Sequence, residues 1–284
     1  MTDLRNKLKK FYNESDAYSR NLEALDINWY KKPLELFCEY VGEKNTRVLD
    51  LGCGTGTTTR YLGREFKRVI GLDYSLKFCK YSKQKTRTLT SVFYINSDAC
   101  FLPLKDECLH GVFSYTTVEH LYDVQKALDE MYRVLKRGGV ILIHMPDLLT
   151  PLRPLKALFS REKLKHPKPE SGENALHSIY LIFRDLFLIL RKYTTRSVSL
   201  IYRKPNFEII EGDYDAVYLA SPIDIKRYFE KRNCEVRNIS YLYRPYQGKS
   251  LPKKWLKWIL YKGGMLQRIK MAPGTYSTLV VRKH

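Results

Sequence analysis

The chain has 284 residues, 44% of them hydrophobic, which is enough to bury a full core as one large α/β domain. Its formal net charge of +20 favours anionic partners, such as phosphate groups on nucleic acid, lipid or small molecules, without choosing among them. Residues 1–10 lack an apolar segment, and no apolar run reaches the roughly 18 residues of a membrane-spanning helix. The composition therefore predicts neither a secretory signal nor a transmembrane span.

The six cysteines show neither a Cys-x-x-Cys pair nor the spacing of a zinc site. Free thiols of this kind favour a reducing compartment, so we expect a cytoplasmic protein without a metal centre. The positive charge is also compatible with peripheral contact with an anionic membrane.

The segment 1–41 carries aromatic and leucine side chains at roughly helical spacing, which predicts amino-terminal helices. Tyr12 and Tyr18 are candidates to cover a site if these helices close over one. Ordinary packing of terminal helices explains the same pattern.

A buried strand that runs into a glycine-rich turn begins at Val48. Gly52, Gly54 and Gly56 let the backbone bend sharply and approach a ligand without clashes from Cβ atoms. The following segment, 57–66, predicts a helix whose free N–H groups face that ligand. A tight turn between strand and helix with no ligand remains the alternative.

The spacing of these glycines narrows the class of ligand. The dinucleotide-binding fingerprint separates its last two glycines by three positions, whereas Gly52, Gly54 and Gly56 are each two apart. Asp50 precedes them inside the strand. This pattern resembles motif I of the class I S-adenosylmethionine-dependent methyltransferases.

Later segments follow in the order that this resemblance implies. A second apolar strand ends at Asp73, whose carboxylate can accept hydrogen bonds from both ribose hydroxyls. The ring of Tyr74 can lie along adenine. A third strand, 92–95, precedes Asp98 and Ala99, at the place where the family receives the adenine amino group.

Residues 111–147 are similar to the fourth strand, intervening helix, glycine turn and fifth strand of the family branch that includes the quinone-biosynthesis methyltransferases. The resemblance is close over about residues 40–147 and loose beyond them. His110 stands where the family usually has Asp, and Arg137 stands where it usually has Pro. Neither position is expected to touch the cofactor.

The resemblance implies an α/β fold with a Rossmann-like class I methyltransferase sheet of strand order 3-2-1-4-5-7-6, with its last strand antiparallel. Helices cover both faces of this sheet. The carboxy-terminal part predicts a helix over 221–231, a strand over 234–243 and a closing strand over 276–282.

We expect a single methyltransferase domain over 1–284, with lid helices in 1–41 and the cofactor-binding core in 46–147. Two segments exceed the minimal fold. A helical insertion covers 148–213, and the carboxy-terminal strands of 214–284 are interrupted by an insertion at 244–274. If both begin at the carboxyl ends of strands, both lie over the active-site face.

The insertions contain two unusual helical patterns. Residues 179–190 are apolar nearly all round except for Arg184 and Asp185, and 253–262 divide Trp and Lys between opposite faces. The second pattern is typical of an interfacial helix at an anionic membrane. Alternatively, the two helices cover each other and cap the domain.

The resemblance also implies S-adenosyl-L-methionine as the cofactor and a set of residues that bind it. These are Asp50, Gly52, Cys53, Gly54, Gly56, Asp73, Tyr74, Asp98, Ala99, Ser114 and Tyr115.

The general base cannot be assigned from the sequence. His120 follows the fourth strand, where the family often carries Glu-His for structural reasons. His144 lies inside the fifth strand, where a buried core histidine is the competing interpretation. Tyr115 is a candidate pocket wall, and nothing in the sequence positions His177.

The leading hypothesis is methyl transfer to a small or lipid-linked acceptor, anionic or amphiphilic, with a membrane surface as one setting. The first alternative is an RNA methyltransferase. It is less favoured because residues 114–117 lack the Pro-Pro motif of enzymes that methylate nucleobase amines. The second alternative is a methyltransferase-like binding protein without activity. The sequence leaves the acceptor atom and the oligomeric state open.

Overall fold

The computed structural model describes residues 2–151, 154–155, 158, 174–195, 198–209, 213–239 and 276–284. The predicted insertion 244–274, including the Trp- and Lys-rich segment 253–262, lies outside the described residues, as does most of 152–173.

The described strands form one seven-stranded sheet of order β3-β2-β1-β4-β5-β7-β6, which confirms the predicted order. Strands β1 to β5 are parallel, and β7 pairs antiparallel with both β5 and β6. The strands are β1 (Arg47–Leu51), β2 (Arg68–Asp73), β3 (Val92–Asn96), β4 (Leu109–Tyr115), β5 (Leu135–Pro146), β6 (Glu235–Asn238) and β7 (Tyr276–Arg282).

Helices lie on both sides of this sheet. They are α1 (Thr2–Glu14), α2 (Asp16–Glu23), α3 (Asn28–Val41), α4 (Thr57–Glu65), α5 (Leu76–Lys85), α6 (Val124–Val134), α7 (Ala175–Thr195) and α8 (Pro222–Glu230). A short 3-10 turn, Val118–His120, follows β4.

Alternation along the central strands builds two apolar layers, one on each face of the sheet. Val48 packs with Leu34 and Phe37 of α3, whereas its neighbour Leu49 packs with Leu128 of α6. Because both faces are covered, the strands are apolar nearly throughout. With both faces covered, the loops at the carboxyl edge of the sheet are left to bind ligands.

The first insertion contributes α7, which contains the apolar pattern of 179–190. A buried ion pair joins this helix to α8, with Lys192 Nζ 2.5 Å from Asp224 Oδ2. The hydroxyl of Tyr218 donates to the same carboxylate at 3.1 Å. These contacts fix the orientation of α7 against the domain.

The strand predicted over 234–243 is shorter where it is described. β6 covers Glu235–Asn238, and residues 240–243 lie outside the described part of the chain. Cys234 is buried just before the strand begins, where its amide donates to the carbonyl of Phe229. That contact returns the chain from α8 to the sheet.

Candidate functional site

The glycine turn after β1 has the backbone conformation that only glycine adopts readily. Gly52, Gly54 and Gly56 have φ angles of +75°, +50° and +78°. The amides of Gly52 and Cys53 both donate to the carbonyl of Leu72, which holds the turn against the end of β2. Gly56 is also the N-cap of α4, so the first turn of that helix presents backbone N–H groups at this edge.

The close approach at Gly52 gives a testable consequence. A Cβ atom there would lie 2.2 Å from Thr117 Oγ1, in addition to the strain of a φ of +75°. Replacing Gly52 with alanine is expected to lower the free energy of unfolding by about 2–4 kcal/mol, measured by urea denaturation.

Gly138→Ala is the matched control, because Gly138 has a φ of +76° with nothing within 4 Å of its added Cβ. That variant should lose only the backbone cost of about 1 kcal/mol. Equal losses in the two variants would show that the Thr117 contact does not matter.

Asp50 lies beneath the turn rather than in the wall of the pocket. Its Oδ2 accepts hydrogen bonds from the hydroxyls of Thr58 at 2.7 Å and Thr59 at 2.5 Å. The side chain is buried, and burial raises its pKa to about 6 against these two hydrogen bonds. Asp50 therefore ties β1 to the first turn of α4 and does not line the pocket, so its contact with the cofactor stays a prediction.

Asp73, at the end of β2, faces the turn from the other side. Its Oδ2 accepts from the amide of Gly54 at 2.9 Å, and its Oδ1 accepts from the amide of Ser75 at 2.8 Å. Burial raises the pKa of Asp73 to about 6, although these amides favour the charged form. Each carboxylate oxygen keeps capacity for a further donor, as a ribose hydroxyl requires.

Asp98 pairs with a cationic side chain, Arg5, that the sequence did not predict at this site. Its Oδ1 accepts from the amide of Cys100, and its Oδ2 accepts from Tyr122 at 2.8 Å and from Arg5 Nε at 3.0 Å. Arg5 belongs to α1, and its carbonyl accepts from the Tyr74 hydroxyl at 3.4 Å. Helix α1 is thus joined to the segment expected to hold adenine.

A pocket of about 1030 Å³, including its open mouth, lies between the glycine turn, the ends of β2 and β4, and the amino-terminal helices. Most of the predicted cofactor-binding residues line it, namely Gly52, Cys53, Gly54, Asp73, Tyr74, Asp98, Ala99 and Tyr115. Its opposite wall is apolar and aromatic, with Leu8, Tyr12, Tyr18, Leu22 and Tyr30. Tyr12 and Tyr18 thus lie where a cover for the site was predicted.

His120 also lines the pocket, and two carboxyl groups flank its ring. Asp215 Oδ2 lies 3.2 Å from its Nδ1, and Glu119 Oε1 lies 3.6 Å from its Nε2. The hydroxyl of Tyr12 donates to the same Asp215 oxygen at 2.9 Å. The backbone carbonyl of Glu119 accepts from the amides of Val217 and Tyr218, which brings the segment 213–220 against β4.

These neighbours determine the charge of the cluster. Burial disfavours the imidazolium, but Asp215 and Glu119 outweigh it and raise the pKa of His120 to about 9. Burial likewise works against the Asp215 carboxylate, yet His120 and Tyr12 keep its pKa below the usual range. Burial raises the pKa of Glu119 to about 8. The raised pKa of His120 and the lowered pKa of Asp215 both favour an imidazolium paired with the Asp215 carboxylate in the pocket wall.

His144 has a different environment. Its ring stacks between Tyr115, at 4.6 Å between centroids, and Tyr276, at 5.3 Å. Its Nδ1 lies 2.7 Å from the hydroxyl of Thr278, and burial lowers its pKa to about 3. His144 is therefore a neutral histidine between β5 and β7, which favours its interpretation as a buried core histidine over a role as a base.

The remaining predicted residues also lie outside the wall of the pocket. Ser114 is buried in β4 beside Leu51 of β1. Gly56 lies against Ser82 and the Tyr94 hydroxyl, where an added Cβ would come within 2.8 Å of both. Neither residue lines the pocket, and their contact with the cofactor stays a prediction.

Backbone strain marks the floor of the pocket. Thr116 lines it with a φ of +45°, an unfavourable angle for a β-branched residue, and its amide donates to the carbonyl of His144 at 2.7 Å. Such strain is maintained by its surroundings and is concentrated at functional sites. Here it directs the chain from β4 toward Thr117 and His120.

Sequence reasoning missed Arg5, Glu119 and Asp215. Arg5 and Asp215 lie far from the motifs along the chain and reach the site only through tertiary contacts. Glu119 adjoins His120 in sequence, yet its complete burial depends on the segment 213–220.

Comparison with known proteins places the site in a family context. Residues 49–143 match the family model described as a methyltransferase domain. A demethylmenaquinone methyltransferase from Staphylococcus aureus is 31% identical over 140 residues, which cover 46% of this chain and 56% of the relative. The chain thus spans about half the length of the curated relatives it matches.

Solved structures share the fold over a larger part of the chain. The YcgJ protein of Bacillus subtilis has a TM-score of 0.53 at 17% identity, over 89% of this chain and 99% of that protein. A chain of the complex that contains the Haloferax volcanii Trm112 methyltransferase activator has a TM-score of 0.57 at 17% identity. The match covers 98% of this chain and 98% of that chain. At this identity the likeness concerns the fold alone.

Proposed function

We propose that the chain is a class I S-adenosylmethionine-dependent methyltransferase that transfers the methyl group of this cofactor to a small amphiphilic acceptor. The bound cofactor supplies a methyl group activated by its sulfonium. In the reaction, the bond from carbon to sulfur breaks as the bond from carbon to the acceptor atom forms, and S-adenosylhomocysteine leaves.

One observation carries this proposal. Gly52 and Gly54, both with positive φ, and the carboxylate of Asp73 meet at the carboxyl edge of the sheet, where they line the same pocket. Any Cβ at Gly52 would fill space next to Thr117. The residues present therefore fit a cofactor that combines an amino acid with a nucleoside.

We assign parts of the cofactor to the residues that match the family motifs. The glycine turn would hold the methionine portion, Asp73 the ribose hydroxyls, and Asp98 with Ala99 the adenine. Tyr74 lines the same pocket as Asp73 and Asp98, and its ring would lie along the base.

The acceptor would occupy the aromatic side of the pocket. Tyr12, Tyr18, Tyr30 and Tyr115 supply large apolar surfaces there, each with a hydroxyl that can orient a polar group. The relative in S. aureus is named for demethylmenaquinone. We therefore propose an acceptor of the quinone type for this chain, and more specifically one that is linked to a lipid.

We assign His120 an electrostatic role toward this acceptor. An imidazolium in the wall stabilises an acceptor hydroxyl as its anion, which is the better nucleophile for methyl transfer. Asp215 is a positioning residue that keeps His120 charged and oriented. The acceptor hydroxyl releases its proton to solvent as the pocket takes up the anionic form, so a neutral base in the site is not required.

A calorimetric titration of the full chain with S-adenosylmethionine tests the proposed function at its first step. We expect binding at one site per chain. Absence of binding would favour the alternative of a methyltransferase-like protein without activity. Methyl incorporation into RNA with salt-sensitive RNA binding would instead support the RNA alternative.

A further inference from the structure

The outward face of helix α7 is apolar along its whole length. On this face Leu176 is 80% exposed, Phe183 68%, Phe187 64% and Leu190 63%. These residues recur at intervals of three, four and seven positions and so form a single stripe. Ile179, Tyr180 and Leu186 widen the stripe, which we call the α7 face.

The inward face of the same helix is partly polar. Ser178 and Asp185 are fully buried, and Lys192 is 2% exposed in its ion pair with Asp224. Rotating the helix to bury the apolar stripe would break this buried pair and leave its charges unpaired, a change that costs several kcal/mol. The polarity of α7 is therefore inverted relative to an ordinary surface helix, and its contacts hold the apolar stripe outward.

The exposed charge at the border of the α7 face is positive. Lys192 is buried in its pair with Asp224, and Arg184 donates two hydrogen bonds to the buried Asp185. Arg191 lies at the border of the stripe and is exposed. The chain as a whole carries a net charge of +20.

We propose that the α7 face binds the surface of an anionic membrane, an interaction beyond the methyl-transfer function. Aromatic and leucine side chains enter the boundary of the acyl chains, while Arg191 and the overall positive charge face the head groups. Among the described residues, no helix combines the length and hydropathy needed to cross a bilayer. The geometry thus corresponds to a helix that lies in the plane of the interface.

Charge complementarity favours lipid over a second copy of the chain. Pairing two α7 faces would bring together the exposed Arg191 of both helices and two chains of net charge +20. An anionic bilayer instead offers opposite charge and an apolar layer that accommodates the whole stripe.

Vesicle flotation with the full chain tests this proposal. The probes are vesicles of phosphatidylcholine alone and of phosphatidylcholine with phosphatidylglycerol, at low and high salt. We expect binding to the anionic vesicles, weakened by salt. The double variant Phe183→Ser with Phe187→Ser should bind at least about tenfold more weakly, since both exposed rings lose their burial in the acyl boundary.

Two further variants isolate the surface. Phe93→Ser removes a ring that is 54% exposed on β3, at the opposite edge of the sheet, and should bind as the wild type does. Arg191→Gln should bind about fivefold more weakly to anionic vesicles, with no change toward vesicles of phosphatidylcholine alone. Circular dichroism verifies that each variant is folded.

Two kinds of outcome would overturn the proposal. The first is a flotation result: the wild type does not float with anionic vesicles at low salt, or the double variant floats equally well. The second is a dimer, detected by light scattering, that the double variant dissociates while vesicle binding is absent. Because no methyl transfer is measured, these outcomes are independent of the proposed function.

Discussion

Replacing Asp73 with alanine is expected to abolish measurable binding of S-adenosylmethionine. The carboxylate sits at the end of β2 and already holds the amides of Gly54 and Ser75, so it is positioned for the two ribose hydroxyls. Two hydrogen bonds to a charged acceptor contribute about 3–5 kcal/mol, so affinity should fall by a factor of about 100 or more. Calorimetric titration of the purified variant measures the loss.

Controls separate recognition from damage to the turn. Asp73→Asn keeps the shape of the side chain but loses its charge, so it should bind more tightly than the alanine variant and more weakly than the wild type. Asp3→Ala removes an acid from α1 that is 79% exposed in its pair with Lys7, and should bind as the wild type does. Unchanged affinity in a folded Asp73→Ala protein, verified by thermal unfolding, would refute the assigned role.

The pKa of Asp73 adds a pH dependence to the same titration. Its value of about 6 means that the carboxylate is ionised at neutral pH and gains a proton as the pH falls. Cofactor affinity should therefore be constant above about pH 7 and decrease as the pH falls through about 6.

Replacing His120 with glutamine is expected to lower kcat for a hydroxyl acceptor by a factor of about 100, with little change in cofactor affinity. The imidazolium is the charged group in the wall on the acceptor side, and glutamine offers only a neutral donor. Steady-state kinetics with a water-soluble quinol as acceptor measures the change. His177→Gln, on helix α7, is the matched control and should leave kcat with this soluble acceptor unchanged.

The pH profile distinguishes this electrostatic role from a structural one. With a pKa of about 9, His120 loses its charge as the pH rises, so kcat should fall through about pH 9. Asp215→Asn removes the carboxylate that raises this pKa, so the fall should move to lower pH with the same acceptor. A profile that does not move, or a His120→Gln variant with wild-type kcat, would contradict the assignment.

Much of the fold could be predicted because its signals are local. The run from Val48 to Gly56 contains the strand, the turn and its conformational demand within a few residues. Asp73 likewise ends a short apolar strand that is recognisable by itself. Once the first strands resembled the methyltransferase pattern, the strand order of the whole sheet followed.

The chemistry of the acceptor side could not be predicted in the same way. The charge of His120 depends on Asp215, which is distant in sequence and reaches it through the backbone bonds of Glu119 to Val217 and Tyr218. The sequence offered His144 both as a candidate base and as a buried core histidine, and its stacked, buried environment supports the second interpretation. Sequence periodicity reports which residues are apolar, but not which pairs of distant charges meet.

The orientation of helix α7 on the surface could not be predicted from the sequence either. Its sequence is apolar nearly all round, which predicts burial, but does not specify which side the domain covers. The ion pair between Lys192 and Asp224 determines that side, and it joins α7 to α8, which is a separate element further along the chain. The inverted orientation is therefore a tertiary property.

Methyl transfer itself is the most direct test of the account. The full chain would be incubated with S-adenosylmethionine labelled in its methyl group and with separate lipid, water-soluble and RNA extracts of cells, alongside Asp73→Ala. We predict label in an organic-soluble small molecule of the lipid extract, dependent on Asp73. Label confined to RNA, or no transfer to any extract by a chain that binds the cofactor, would contradict the account.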